Sequence, residues 1–322
     1  MKYKFLLVAI IFSSAFYNAF AQNNTEATND IGRIVLHTYL SDKASMPQEA
    51  KSQLETKLTQ IASQYGMGGN SYNPRFIITA NINVLTKDIV AGPPQMVAQN
   101  LEIVLFIGDA ITNTVFANTS LNLKGVGTNE TKAFIEAIKT LNPTNEHIKS
   151  FVENGKNKIL EYYNTQCDFI IMEAQTLQSQ DKYEEAIYKL TQVPEVCKTC
   201  YDKCMDAIKP IYLSMINREC RKKLNEAKLK WNANQNIEGA NEAALVLATI
   251  NPDASCYKEA ENLAEAISIK IKADEQKKWD FKMQKYNDKI SLDKLRIDSY
   301  RQIALAYAKN LQPTIIYNRI IW

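Results

Sequence analysis

Six cysteines carry the sharpest chemical signal in this chain. Cys197, Cys200 and Cys204 follow the spacing C-x2-C-x3-C with Cys220 further on, and four thiolates are what a tetrahedral structural zinc site requires. The competing chemistry is oxidation, because an even number of cysteines in an exported chain closes into disulfides. The first residues favour it. Lys2 and Lys4 precede an apolar run from Phe5 to Phe16, and Ala19-Phe20-Ala21 supplies the small-x-small pattern for a cut before Gln22. That run is shorter than the roughly 20 residues of a membrane-spanning helix. No cysteine follows it to accept a lipid. The expectation is therefore a periplasmic or secreted protein, not a lipoprotein, whose cysteines are bridged.

The other reactive residue types do not assemble into a recognisable set. His37 falls in a strand and His147 on a helix, and neither has an acid or cysteine at the spacing of a triad or a metal site. The stretch Gly125–Ala133, GVGTNETKA, has glycines ahead of a helix start, where backbone N–H groups can hold an anion. It lacks the Gly-Lys-Ser/Thr ending, and Glu130 would repel phosphate. A strand-to-helix turn capped by Thr128 or Asn129 is the reading taken. Carboxylates such as Glu184 and Glu185 lie beside lysines on helix faces, whereas general acid–base work needs two acids converging in a cleft. No catalytic, cofactor-binding or metal residue is expected. With 38 basic against 35 acidic residues, the charge gives no pull toward nucleic acid or anionic lipid.

These residues must be positioned by two kinds of segment. Residues 22–165 read as a small mixed sheet with helices on one face. Strands are expected at Arg33–Leu40, Arg75–Val84, Leu101–Ile107 and Val115–Lys124, the last with Val115, Ala117, Thr119, Leu121 and Leu123 on one face. Ser45 and Gln48 form a capping box around Pro47, opening a helix that buries Leu54, Leu58 and Ile61. Further helices carry Ala133, Phe134, Ala137, Ile138 and Leu141, then Ile148, Phe151, Val152, Ile159 and Leu160. Between two strands, Asp88–Gln99 (DIVAGPPQMVAQ) reads as a long loop presenting Ile89, Val90, Met96 and Val97, a place for a partner to touch. The order β-α-β-β-β-α-α, with the stretches RIVLHTYL, RFIITANINV and NLEIVLFIGDAITNTVFANTSLNLKGVGTNETKAFIEAI, resembles a periplasmic α/β domain. That domain is shared by the curli-export channel subunit, the amino-terminal domain of the Tol translocation protein and outer-membrane activators of peptidoglycan synthases. Ala80 stands where the family usually has Gly, and the family's lipid-anchor cysteine is missing. The resemblance implies an envelope interaction domain without catalysis, and it permits a ring- or pore-forming subunit.

From residue 166 the chain is helical and repeats itself. Cys167–Tyr201 and Cys220–Tyr257 each open on Cys, place Glu-Ala six and seven residues on (Glu173-Ala174, Glu226-Ala227), and end on Pro194 or Pro252 followed by Cys-Tyr. The first is similar to a tetratricopeptide repeat, a helical hairpin that buries its faces by stacking on neighbours. In stacked hairpins the first helices of successive units begin at one end. Cys167 is then expected to meet Cys200, and Cys220 to meet Cys256, leaving Cys197 and Cys204 for a local bridge; the alternative exchanges Cys197 and Cys200. Residues 258–312 read as one long amphipathic helix, whose seam comprises Trp279, Met283, Tyr286, Ile290, Asp293, Ile297, Tyr300, Ala304, Tyr307 and Leu311. A β-rich tail, 313–322, follows. The fold class is α+β with an all-α, disulfide-braced repeat region. The function expected is a non-enzymatic scaffold or adaptor of a bacterial cell envelope, with the seam either packed on its own chain or taken by a protein partner or a second copy. Membrane contact is expected only through a partner, and an envelope hydrolase with an unrecognised site is the reading from another class.

Overall fold

The computed structural model describes residues 33–41, 46–69, 75–275, 279, 281–283 and 289–311. The expected export signal, Ser45, Tyr286 and the terminal strand lie outside them. The fold is α+β: among the described residues, four strands in one mixed sheet, followed by helices. The strands are β1 (Leu36–Tyr39), β2 (Phe76–Val90), β3 (Met96–Asp109) and β4 (Thr114–Gly127), in the order β1-β2-β3-β4. β1 pairs parallel with β2, and the other pairs are antiparallel. The helices are α1 (Gln48–Gln64), α2 (Glu130–Lys139), α3 (Glu146–Ser179), α4 (Tyr183–Thr191), α5 (Lys198–Ala233), α6 (Ile237–Leu247), α7 (Tyr257–Glu275) and α8 (Lys289–Asn310). They form two compact units. One takes the described residues up to Cys167, Gln192–Tyr201 and those from Leu305 on; the other takes Asp168–Thr191 and Asp202–Ala304.

In the sheet unit, side-chain alternation decides which face is covered. Leu101, Ile103, Leu105 and Ile107 of β3 point to one side and are fully buried, while Glu102 on the other side accepts hydrogen bonds from Asn83 (3.2 Å) and Ser120 (3.0 Å). α2 presses its Ala133 and Ala137 onto the end of β4. A Cβ at Gly125 would collide with the backbone at Ala133 and Ala137, and one at Gly127 with the backbone of Lys132 and Ala133. The glycines of GVGTNETKA thus allow a helix to lie directly on a strand. Asn129, one of the two expected caps, accepts from the Lys132 N–H at 2.9 Å and starts the helix. α1 begins directly after Pro47, with no side-chain cap, and buries Leu54, Leu58 and Ile61.

Three expectations are corrected. Asp88–Gln99 is not a long loop: β2 runs on to Val90 and β3 starts at Met96, with Ile89 opposite Val97 and Val90 opposite Met96. Cross-strand pairing of these β-formers extends the hairpin, and Ala91–Gln95 is enough to turn it. The first strand is shorter than expected, because only Leu36–Tyr39 find partners on β2. The helix expected over 258–312 is two helices, ending at Glu275 and resuming at Lys289. Between them the Trp279 and Phe281 rings touch, centroids 5.3 Å apart. Residues two apart on a helix point away from each other, so this contact excludes helical backbone there.

The close approach of α2 to β4 yields a stability test. Gly125→Val is expected to lower stability by about 1–3 kcal/mol, since the obstacle is helix backbone that cannot rotate away. Lys124→Val, on the exposed face next to it, should change little. Urea denaturation of both variants checks this.

Candidate functional site

The strongest candidate lies in the helical unit, where α5 faces the turn between α3 and α4. Ser214, Asn217, Arg218, Arg221, Lys222 and Asn225 recur along α5 at helical spacing and line a groove of about 580 Å³ closed on its far side by Asp181 and Tyr183. Asp181 organises it. Its backbone is left-handed (φ 61°), a conformation that Asp tolerates and that ends α3 sharply. Its carboxylate accepts from the Tyr183 hydroxyl (2.6 Å), a bond that raises the tyrosine pKa. Its other oxygen pairs with Arg218 at 3.4 Å, and the Arg218 guanidinium also lies over the Tyr183 ring, 5.8 Å from its centroid. Arg218 is thus fixed by three contacts, including its bond to the Asp181 carbonyl (3.3 Å). Arg221 and Lys222 form no ion pair among the described residues. The groove therefore presents three cations and one carboxylate already engaged, and its chemistry suits an acidic ligand.

The cysteines divide into two classes. Cys167 and Cys200 are bridged with Cα atoms 5.6 Å apart, and Cys220 and Cys256 with Cα atoms 6.1 Å apart. These are the two pairs that the repeat offset brings together, each closing a loop for which about 2–4 kcal/mol is typical. The expected third bridge is absent: neither Cys197 nor Cys204 is in a disulfide, and both are buried. With Cys200 and Cys220 consumed by disulfides, the four-thiolate zinc set is not available either. Burial pushes the Cys197 thiol up to about 11 and the Cys204 thiol up to about 12, Lys203 easing the latter slightly. Both stay protonated at neutral pH.

The expected seam is divided. Trp279 is buried and donates from Nε1 to Asn241 Oδ1 at 3.1 Å. Tyr300 is buried against Tyr212, edge to face at 5.1 Å, and Ala304 is buried beside it in sequence. Arg296 of α8 pairs with Asp253 at 2.9 Å, and Asn251 donates to the Tyr212 hydroxyl at 2.8 Å. Trp279 and Tyr300 are therefore spent on the chain's own helices, which corrects their assignment to a partner. Met283 sits outside any helix, Ile290 and Asp293 fall in α8, Ile297 is exposed, and Tyr307 and Leu311 are half-buried at the end of α8.

The sequence reading missed a buried cluster in the sheet unit. Arg75 donates from Nε to Asp109 Oδ2 at 2.8 Å, and the Asp109 carboxylate, wholly buried, also accepts from the backbone of Ile111 (2.8 Å) and Thr112 (3.2 Å). The guanidinium reaches the Tyr163 and Tyr162 hydroxyls and is ringed by Phe76, Tyr162 and Tyr163 at 5.3–5.5 Å. Tyr163, fully buried, donates in turn to the Gln192 carbonyl at 3.0 Å. Burial alone would lower the Arg75 pKa, but the charges of Tyr163 and Asp109 outweigh it and hold it above its ordinary value. Burial has the opposite effect on Tyr163, whose pKa it raises. Each group is satisfied by another, so the cluster fastens α3 to the sheet.

No protein-family model matches the chain, and no curated protein does. Among solved structures, a minor lipoprotein from Acinetobacter baumannii aligns over 39% of this chain and 94% of its own at 13% identity, with a TM-score of 0.25. Among the described residues no helix is long and apolar enough to cross a membrane.

Three outcomes follow. Arg75→Met leaves Asp109 buried without its cation and should cost about 3–5 kcal/mol, whereas Arg75→Met with Asp109→Leu should cost less than Arg75→Met alone; urea titration of both checks this. At pH 8 the native protein should resist iodoacetamide, with two thiols appearing in denaturant. Because both thiols titrate higher folded than unfolded (about 8.5), their contribution is complete below that pH. It is lost as pH rises toward about 11 for Cys197 and about 12 for Cys204. A urea midpoint that falls over this range in wild type, and less steeply in Cys197→Ala, is expected.

Proposed function

We propose that this chain is an exported, non-enzymatic scaffold of a bacterial cell envelope that holds an acidic segment of another protein in the α5 groove. The observation that carries this reading is the groove itself: Arg218 fixed by Asp181 and Tyr183, with Arg221 and Lys222 on the next turn open to a partner carboxylate. The rest supports it. α3–α4 and α5–α6 are successive pairs of helices, which supports the tetratricopeptide-like reading of the sequence, an architecture whose grooves take peptides. Two disulfides suit an oxidising compartment outside the cytoplasm. The mixed sheet with helices on one face agrees with the envelope domain that the amino-terminal half resembles.

A groove of this kind offers steering and specificity more than raw affinity, because exposed ion pairs contribute about 0.2–1 kcal/mol each. Arg221→Glu with Lys222→Glu should leave both disulfides and the thermal midpoint intact. It should lower partner recovery in a crosslinked pull-down from the native envelope by about tenfold, the order that two such pairs supply. Undiminished recovery of the same partners would remove the groove from the function.

A further inference from the structure

The outer edge of β2 is half empty. β1 occupies Phe76–Thr79, and among the described residues nothing pairs with that edge from Ala80 to Val90. The burial pattern changes at the same point. Phe76–Ala80 are buried, whereas Asn83–Val90 are all exposed. Four are large and apolar: Val84, Leu85, Ile89 and Val90, at 48–65% exposure. An open, apolar strand edge invites another strand. The charge that would usually guard it, Lys87, is drawn to Glu130 of α2. Which strand fits is decided by the residues along the edge.

We propose that this edge pairs antiparallel with the same edge of a second copy, about a twofold axis at Thr86. The register with β3 fixes which residues share a face. Ile82, Val84, Lys87 and Ile89 oppose Ile103, Leu101, Gln99 and Val97, on the side of the buried β3 residues. Asn83, Thr86, Asp88 and Val90 oppose Glu102, Asn100, Ala98 and Met96, on the other side. The bulge between Val84 and Thr86 takes Leu85 out of this count. A twofold axis normal to the sheet keeps each face continuous, so residues opposed across it must come from the same face. Thr86 is the midpoint of the vacant stretch, with four counted positions on each side from Asn81 to Val90. Pairing about it therefore uses the whole stretch and stops where β1 takes over. Ile82 then meets Ile89 of the other copy, and Val84 meets the aliphatic stem of its Lys87. Asn83, whose amide has a second N–H beside the one given to Glu102, meets Asp88. An axis at Lys87 or at Asp88 would instead set that charge against its own copy.

The test is sizing of the full chain over a wide range of concentration, with substitutions at exposed edge positions that leave the core alone. Wild type should pass from monomer to dimer as concentration rises. Val84→Lys faces Lys87 of the other copy and should weaken the dimer by about tenfold, whereas Val84→Glu faces the same lysine and should keep it as tight or tighter. Thr86→Cys should give a disulfide-linked dimer on oxidation, because the two cysteines meet at the axis. Asn83→Cys should not, since that register leaves its two copies about 13 Å apart along the strands. A monomer at every concentration would overturn the proposal. So would a dimer weakened alike by Val84→Lys and Val84→Glu, or one crosslinked through Asn83→Cys and not through Thr86→Cys. Slow hydrogen exchange at residues 83–90 in the monomer would overturn it too, since the chain itself would then close the edge. None of these measurements needs a binding partner, so their failure would leave the reading of the α5 groove untouched.

Discussion

The sheet unit depends on one buried ion pair. Arg75 enters β2 and Asp109 leaves β3, and their register places the two at the same end of the hairpin. A buried charge pair is costly unless its remaining donors and acceptors are satisfied. Here the backbone at Ile111 and Thr112 completes the carboxylate, and the Tyr162 and Tyr163 hydroxyls complete the guanidinium. The two tyrosines can reach only if α3 lies across the sheet, where Gly155 lets the helix settle onto Ile107. Tyr163 then carries the chain of bonds on to Gln192, in the segment that the Cys167–Cys200 bridge also holds. Satisfying one ion pair therefore sets the position of a strand pair, a long helix and a disulfide-bearing loop.

The helical unit is held differently, by ties distributed along buried helix faces. Cys220–Cys256, Arg296–Asp253, Trp279–Asn241 and the Tyr212–Tyr300 contact each join segments distant in sequence. Asp181 shows how structure and surface chemistry share residues: the left-handed turn that ends α3 also aims its carboxylate at Arg218. A groove fixed in this way costs little further ordering when a ligand enters it.

Much of this is legible in the sequence. Alternation from Val115 to Lys124 identifies β4 because one face is wet, and the matched Cys-x5-Glu-Ala openings identify the two bridged pairs because stacked hairpins repeat their ends. Other features leave no local trace. The Arg75–Asp109 pair joins residues 34 apart through strand register, which a single chain does not print. The heptad series from Trp279 to Leu311 keeps its spacing although Trp279 and Met283 are not in a helix, since periodicity records residue type and not hydrogen bonding. The Cys197 and Cys204 thiols look like a bridge by count, but both are buried and neither enters a disulfide.

Native-state hydrogen exchange along the sheet unit tests the central claim most directly, that one buried ion pair locks sheet and helix into a single cooperative body. The account predicts that the amides of Ile77–Ala80, Ile103–Ile107 and Ile159–Tyr163 are the slowest in the unit and share one opening free energy, equal to that of global unfolding. Exchange at Ile159–Tyr163 through a separate, lower-energy opening, with the strands still protected, would show that α3 detaches on its own and would contradict it.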